Sequence, residues 1–157
     1  MKRKVRRPGA KGKAWTVFSR YIRLRDALIT TGTLEYAECF TCGKVFPIKD
    51  MDAGHWISRG HLGTFMDERN VNAQCRGCNR FGRGRPVEYQ QHLLSLYGSD
   101  ILECLTRQAQ TRVKIRERDW MELEMDYRER IKVLEEYEAV PKEWADVFLA
   151  YVAAAVR

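Results

Sequence analysis

The sequence of 157 residues predicts an α+β fold, with a loop-rich, β-prone centre flanked by an N-terminal helix and several C-terminal helices. Three observations carry that expectation. Two Cys-x-x-C pairs, Cys39/Cys42 and Cys75/Cys78, bracket the centre. Before residue 32 and after residue 86 the apolar side chains recur at three-four spacing, as on helices with one buried face. Between them, glycines and short β-branched or aromatic runs follow one another too closely for a helix.

The opening MKRKVRRPGAKGK holds seven basic residues (Lys2, Arg3, Lys4, Arg6, Arg7, Lys11 and Lys13) and no acid, so residues 1–13 are expected to form a flexible arm. AWTVFSRYIRLRDALITTG then places Trp15, Phe18, Tyr21, Ile22, Leu24 and Leu28 on a helical stripe that ends at Gly32. TLEYAECFTCGKVFPIKD supplies short β pieces, with Gly43 in the tight turn of the first cysteine pair. MDAGHWISRG is a strand or a compact loop carrying His55, and HLGTFMDERNV leads into the second pair, QCRGCNR. After the GRGRP loop, VEYQQHLLSLYG is a helix begun after Pro86 and stopped at Gly98. SDILECLTRQAQTRVKIRERD is expected to continue helically with Ser99 as its N-cap. Trp120, Leu123, Tyr127, Leu134 and Tyr137 line a further helix, and Pro141 opens a last one ending in the apolar VFLAYVAAAVR. The expected division is an arm (1–13), a central domain (14–100) and a helical region (101–157) that packs on the domain or forms a homodimer. No apolar run is long enough to span a bilayer and no signal-peptide pattern opens the chain, so a cytoplasmic, intracellular protein is expected.

Charge points to a polyanionic partner. The formal net charge is +7, and the arm alone accounts for it, leaving 21 basic against 21 acidic residues elsewhere. A second basic stretch, Arg76, Arg80, Arg83 and Arg85, meets no acid in sequence until Glu88. A basic arm and a basic loop suit nucleic acid, whereas a solvated, solubilising tail is the plainer alternative.

Five cysteines in such a chain do not suggest a disulfide framework. Two Cys-x-x-C pairs suit a tetrahedral structural zinc held by Cys39, Cys42, Cys75 and Cys78. Cys104, between Leu102 and Leu105, reads as a small core residue. Residues 33–85 are too loop-rich to stand on apolar burial, and a structural zinc contributes an apparent binding energy of about 10–16 kcal/mol.

Asp52, His55, Asn70 and Asn79 lie in and around that frame. Hydrolysis of a phosphodiester needs a base to activate water and a cation to neutralise developing charge. A neutral imidazole supplies the first near physiological pH. A carboxylate and an amide oxygen are hard ligands suited to Mg2+ or Mn2+. The bland alternatives stay open: His55 satisfying a backbone carbonyl, Asp52 and Asn70 capping turns, His61 replacing His55, and His92 serving structure.

Cys39, Cys42, the DAGH ending at His55, the N-x-x-x-x-C from Asn70 to Cys75 and the CRGCN ending at Asn79 together resemble the HNH, or ββα-metal, nucleases with a zinc-knuckle frame. FSRYIRLRDA, CFTCGK, DAGHWISRG, RNVNAQCRGCN and PVEYQQHL resemble, in order and spacing, the NinG (Rap) recombination endonucleases of lambda-like phages, over roughly residues 14–100. The order of the cysteine pairs, His and Asn is also similar to that of the phage endonuclease VII group. The resemblance implies a ββα-metal (HNH, treble-clef-like) centre and a metal-dependent endonuclease acting on DNA, with branched recombination intermediates such as Holliday junctions or D-loops as substrate. It gives His55 the role of general base, Asn70 that of a brace for the His55 loop, and Asn79 that of the last ligand of the catalytic ion. Gly54 stands where many of these enzymes carry an acid or histidine, so Asp52 would supply the carboxylate. Arg59, Arg76, Arg80, Arg83 and Arg85, with the arm residues, would hold phosphates, and phage recombination proteins are implied as partners. Two rival functions are a non-catalytic zinc module that binds nucleic acid and a recombination adaptor acting through the C-terminal helices.

Overall fold

The computed structural model describes residues 8–136, together with 142–144, 147 and 150. Its first element, α1 (Ala10–Thr31), begins four residues inside the expected arm. Lys11 accounts for the difference: its ammonium lies 4.5 Å from the centre of the Phe65 ring and 5.8 Å from that of Trp120. Those rings hold the first helical turn against the domain. Lys2, Arg3, Lys4, Arg6 and Arg7 fall outside the described residues. The helix stops at Gly32, whose φ of 71° lets its N–H reach Leu28 O.

Two antiparallel hairpins follow. Strand β1 (Tyr36–Glu38) pairs with β2 (Val45–Pro47) around the first cysteine pair, and Gly43 at φ 68° makes the turn. After a 3-10 turn, Ile48–Asp50, strand β3 (Met51–His55) pairs with β4 (Val71–Cys75) in unbroken register, Met51 opposite Cys75 and His55 opposite Val71. A π-helical turn, Gly77–Phe81, then carries Cys78 and Asn79. The centre is therefore a hairpin followed by a short helical turn, placed between helices as the sequence predicts.

Helix α2 (Pro86–Tyr97) ends at Gly98. The expected continuous helix after it is broken: α3 spans only Ile101–Gln110, and α4 starts afresh at Glu117–Glu136. Thr111 is extended, and β-branched Thr111, Val113 and Ile115 at alternate positions favour that state over a helix. Asp119 Oδ2 accepts the Arg116 N–H at 2.7 Å and so opens α4. Ser99 does not cap α3; its hydroxyl donates to Asp100. The expected last helix from Pro141 lies mostly outside the described residues, which include a 3-10 turn at Lys142–Trp144.

The core forms where α1 is covered on two sides. Phe18, Tyr21, Ile22 and Leu28 meet Tyr127, Ile131 and Leu134 of α4 and Ala53 and Val71 of the β3–β4 hairpin. Each such side chain contributes about 1.5–3 kcal/mol by leaving water. The buried face of α4 thus serves its own chain. Arg25, buried on α1, spends its donors on Asp26 (2.7 Å), Glu68, Val71 O and Asn72, while Asp26 accepts the Ala73 N–H at 2.6 Å. This ionic seam fixes α1 to β4, and it is what the Arg-Asp of FSRYIRLRDA does.

Candidate functional site

The four cysteine sulfurs lie within 4.8 Å of one another. A ZnS4 tetrahedron with bonds of about 2.3 Å has edges of about 3.8 Å, so the set fits zinc with a small inward adjustment. Amides already point at the sulfurs: Cys75 N–H at Cys39 Sγ (3.3 Å) and Cys78 N–H at Cys75 Sγ (3.4 Å). Burial opposes the Cys39 thiolate, but hydrogen bonds from Thr41 and from the Cys75, Thr41 and Cys42 amides outweigh it and bring its pKa down to about 6. Burial, then contact with Cys78 and Cys39, pushes Cys75 up to about 12. Cys39 thus ionises readily, whereas Cys42 and Cys75, both raised by burial, are held back until a cation is present. Phe40 N–H also donates to Ala73 O at 2.8 Å, tying the first knuckle to β4.

Strand β3 distributes the candidate residues to two sides, because successive side chains alternate. Met51 and Ala53 are buried toward α1. His55, two further on, stacks on Trp15 of α1 at 5.0 Å between centroids and lies 6.0 Å from Phe65. Its Nε2 is 3.0 Å from Phe65 O. A carbonyl only accepts, so Nε2 carries the proton and Nδ1 holds the lone pair. Burial lowers its pKa to about 4, outweighing the Phe65 carbonyl, with Arg59 adding to the fall; the ring is neutral at physiological pH. The carbonyl contact set against a catalytic role in the sequence reading is thus present, and it fixes the tautomer that a base acting through Nδ1 needs.

Asp52, on the alternate side, meets Asn79 and Arg80 of the π-helical turn. Asn79 Nδ2 donates to its Oδ2 at 3.0 Å, and the Arg80 guanidinium forks onto both oxygens at 2.7 Å. The Arg80 bond, then that from Asn79, outweighs desolvation and holds the Asp52 carboxyl below its ordinary range. These are hard oxygen donors suited to Mg2+ or Mn2+; Arg80 supplies the positive charge there, and rotation of the Asn79 amide would turn its oxygen toward a metal. His55 makes no hydrogen bond to either among the described residues.

Asn70 is fully buried and grips the loop after His55. Its Oδ1 accepts the Ile57 N–H at 2.8 Å, and its Nδ2 donates to Ile57 O and Thr64 O. Gln74, also buried, donates to Thr41 Oγ1 (3.1 Å) and Gly84 O (2.9 Å), bridging the first knuckle and the arginine loop. Its amide lies against Gly54, where a Cβ would come within 1.9 Å of Gln74 Oε1. That is why glycine stands between Asp52 and His55: an acid or histidine there has no room.

The second basic stretch is opposed in space, although not in sequence. Arg76 pairs with Asp50 at 3.1 Å and Arg80 with Asp52 because the hairpin brings residues 50–52 beside the turn, and Arg85 pairs with Glu88, three residues on, at 3.1 Å. Arg83 makes no ion pair among the described residues. Arg59 lies over Trp15, its guanidinium carbon 4.3 Å from the ring centre. His61 and His92 are exposed; His61 Nδ1 reaches Ala109 O at 3.3 Å, and His92 Nδ1 contacts Phe40 O, tying α2 to the first knuckle. Cys104 is half-buried beside Arg69. Trp15, Phe65 and Gln74 were missed as site residues at the sequence level, and Arg80 was singled out as a phosphate contact rather than as a partner of Asp52; only the glycine in DAGH signals one of them, as a place where another side chain approaches closely.

Fold and cluster define a small α+β protein built around four cysteines placed as a metal ion would need them. The chain belongs to the family described as Bacteriophage Lambda NinG protein, which matches residues 2–138. No curated protein and no solved structure matches it. Among the described residues no helix is long and apolar enough to cross a membrane.

Proposed function

We propose that this protein is a metal-dependent endonuclease that hydrolyses DNA phosphodiester bonds, in keeping with the HNH-like order of its motifs. One observation carries the reading: β3 ends on a neutral histidine whose Nδ1 makes no hydrogen bond among the described residues, and three residues earlier, on the other side of the strand, an aspartate meets Asn79. A phosphodiester crossing the end of β3 would meet both. Nδ1 of His55 takes a proton from the attacking water as its oxygen bonds to phosphorus and the P–O3′ bond breaks; the departing O3′ takes a proton from solvent, leaving a 5′-phosphate and a 3′-hydroxyl. The Phe65 carbonyl holds the ring and stabilises the imidazolium that forms. Approach of the anionic phosphodiester raises the imidazole's proton affinity at the moment it is used. A Mg2+ or Mn2+ ion held by Asp52 and Asn79 would supply neutralisation of the phosphate and the departing oxygen. Arg59 and Arg83, with the arm, hold flanking phosphates without reading sequence. A branched recombination intermediate is the substrate that the family resemblance favours.

The Arg80 fork on Asp52 favours a second reading, a zinc module that binds nucleic acid without cutting it. Supercoiled and branched DNA, incubated with Mg2+, Mn2+ or EDTA, separates the two. The nuclease reading expects nicking that EDTA stops and that His55→Ala reduces at least a hundredfold. Tight binding without cleavage under any divalent ion supports the module instead.

A further inference from the structure

Phe81 is the most exposed large apolar side chain among the described residues, at 85%. It does not hang from a loose loop. It ends the π-helical turn whose Cys78 is a buried member of the thiol cluster. The backbone beyond it is pinned by Gly82 N–H to Gly77 O (2.7 Å), Gly84 N–H to Cys78 O (2.9 Å) and the Gln74 amide to Gly84 O. Arg83 and Arg85 are held at φ 52° and 47°, a region that favours glycine. Each such residue costs about 1–3 kcal/mol, which the surrounding bonds offset. A Phe left in water forgoes a further stabilisation of about 2 kcal/mol.

Four exposed arginines, Arg76, Arg80, Arg83 and Arg85, lie within five residues of this ring in sequence. Arg76, Arg80 and Arg85 are paired with Asp50, Asp52 and Glu88 at the surface, while Arg83, two residues from the ring, makes no ion pair among the described residues. An apolar protein partner would have to desolvate all four, whereas a polyanion engages Arg83 directly and leaves the rest solvated. The face that such a polyanion offers to a phenyl ring is a nucleobase. In intact duplex every base is already stacked, and separating a step costs a few kcal/mol. At a branch point or single-stranded end, bases stand free. We infer that Phe81 is a substrate-positioning residue that stacks on an unstacked base, so that branched or single-stranded segments are favoured over plain duplex. The inference deepens the nuclease reading, since it places the branch two residues from Asn79.

Binding is measured by fluorescence anisotropy in buffer without added Mg2+ or Mn2+ and without chelator, so that the thiol-held zinc stays in place, on a four-way junction, a flap and a plain duplex of equal length. 2-Aminopurine at the branch reports stacking. Base–aromatic stacking is worth about 1–3 kcal/mol, so Phe81→Ala and Phe81→Leu are expected to weaken branched DNA about tenfold or more, with duplex affinity within twofold. Phe81→Trp is expected to retain both the affinity and the quench. Zinc content and thermal unfolding should be unchanged, given the exposure of the side chain. Equal losses on duplex and branched DNA, or no loss on either, overturn the inference. So does a change in oligomeric state by light scattering without a change in DNA preference, which assigns Phe81 to a protein contact. Binding with the expected preference but no cleavage under any metal sinks only the catalytic reading. Absence of DNA binding by the unaltered protein sinks both.

Discussion

Gly54→Ala tests how the two sides of the site are held together. The new methyl would sit 1.9 Å from Gln74 Oε1 and 2.7 Å from its Cδ. Contact at ordinary van der Waals distance requires the amide to move by more than an ångström, which breaks its bonds to Thr41 and Gly84. Two hydrogen bonds at roughly 1 kcal/mol each, with an overpacking cost of about 1–3 kcal/mol, give an expected destabilisation of about 3–5 kcal/mol. Gln74→Ala alone loses the same bonds without the clash and should cost about 2 kcal/mol. In the double variant the methyl has room, so it should be little worse than Gln74→Ala. The singles then overstate the double by about 3–5 kcal/mol. Urea unfolding of the four proteins at fixed zinc concentration measures this. Additivity within about 0.5 kcal/mol would refute the claim that Gln74 is the reason for glycine in DAGH.

Asp26→Ala strips the buried Arg25 guanidinium of its nearest carboxylate and the Ala73 N–H of its acceptor, and should cost about 3–5 kcal/mol in urea unfolding. Lowering pH should destabilise the protein through His55: the unfolded imidazole binds a proton below its ordinary 6.5, the folded one only near 4. The contribution is full above about pH 6.5 and falls by about 3 kcal/mol as pH drops toward 4, and His55→Gln should lack that limb in parallel unfolding curves. Arg80→Ala removes the guanidinium fork from Asp52, leaving only the Asn79 bond to Oδ2, and should tighten Mn2+ binding several-fold by calorimetry, while Asp52→Asn should abolish it.

The fold was legible where chemistry repeats in sequence. Cys39/Cys42 and Cys75/Cys78 marked the cluster, Gly32 and Gly98 the helix ends, and Pro86 a helix start. The break after Gln110 was hidden because the run around it keeps helical composition; the β-branched alternation from Thr111 was the available sign. The site was legible as residue types but not as contacts. Arg80 and Asp52 are 28 residues apart, and only the hairpin register makes them partners, so the basic stretch read as unopposed. His55 could be singled out by its motif, whereas its clamp comes from Trp15, which read as part of a helix's apolar stripe, and from Phe65, which carried no sequence signal. The low proton affinity of its ring follows from burial, which no spacing reveals.

The central claim is that the thiol-clamped hairpin sets Asp52 and Asn79 to hold a cation on the strand that carries His55. Anomalous diffraction from a Mn2+-soaked crystal tests it most directly. The account predicts a peak between the Asp52 carboxylate and the Asn79 amide oxygen, with Arg80 swung off Asp52 and His55 still bonded to Phe65 O. Manganese absent from that position at saturating concentration, with Arg80 still forked on Asp52, would contradict it.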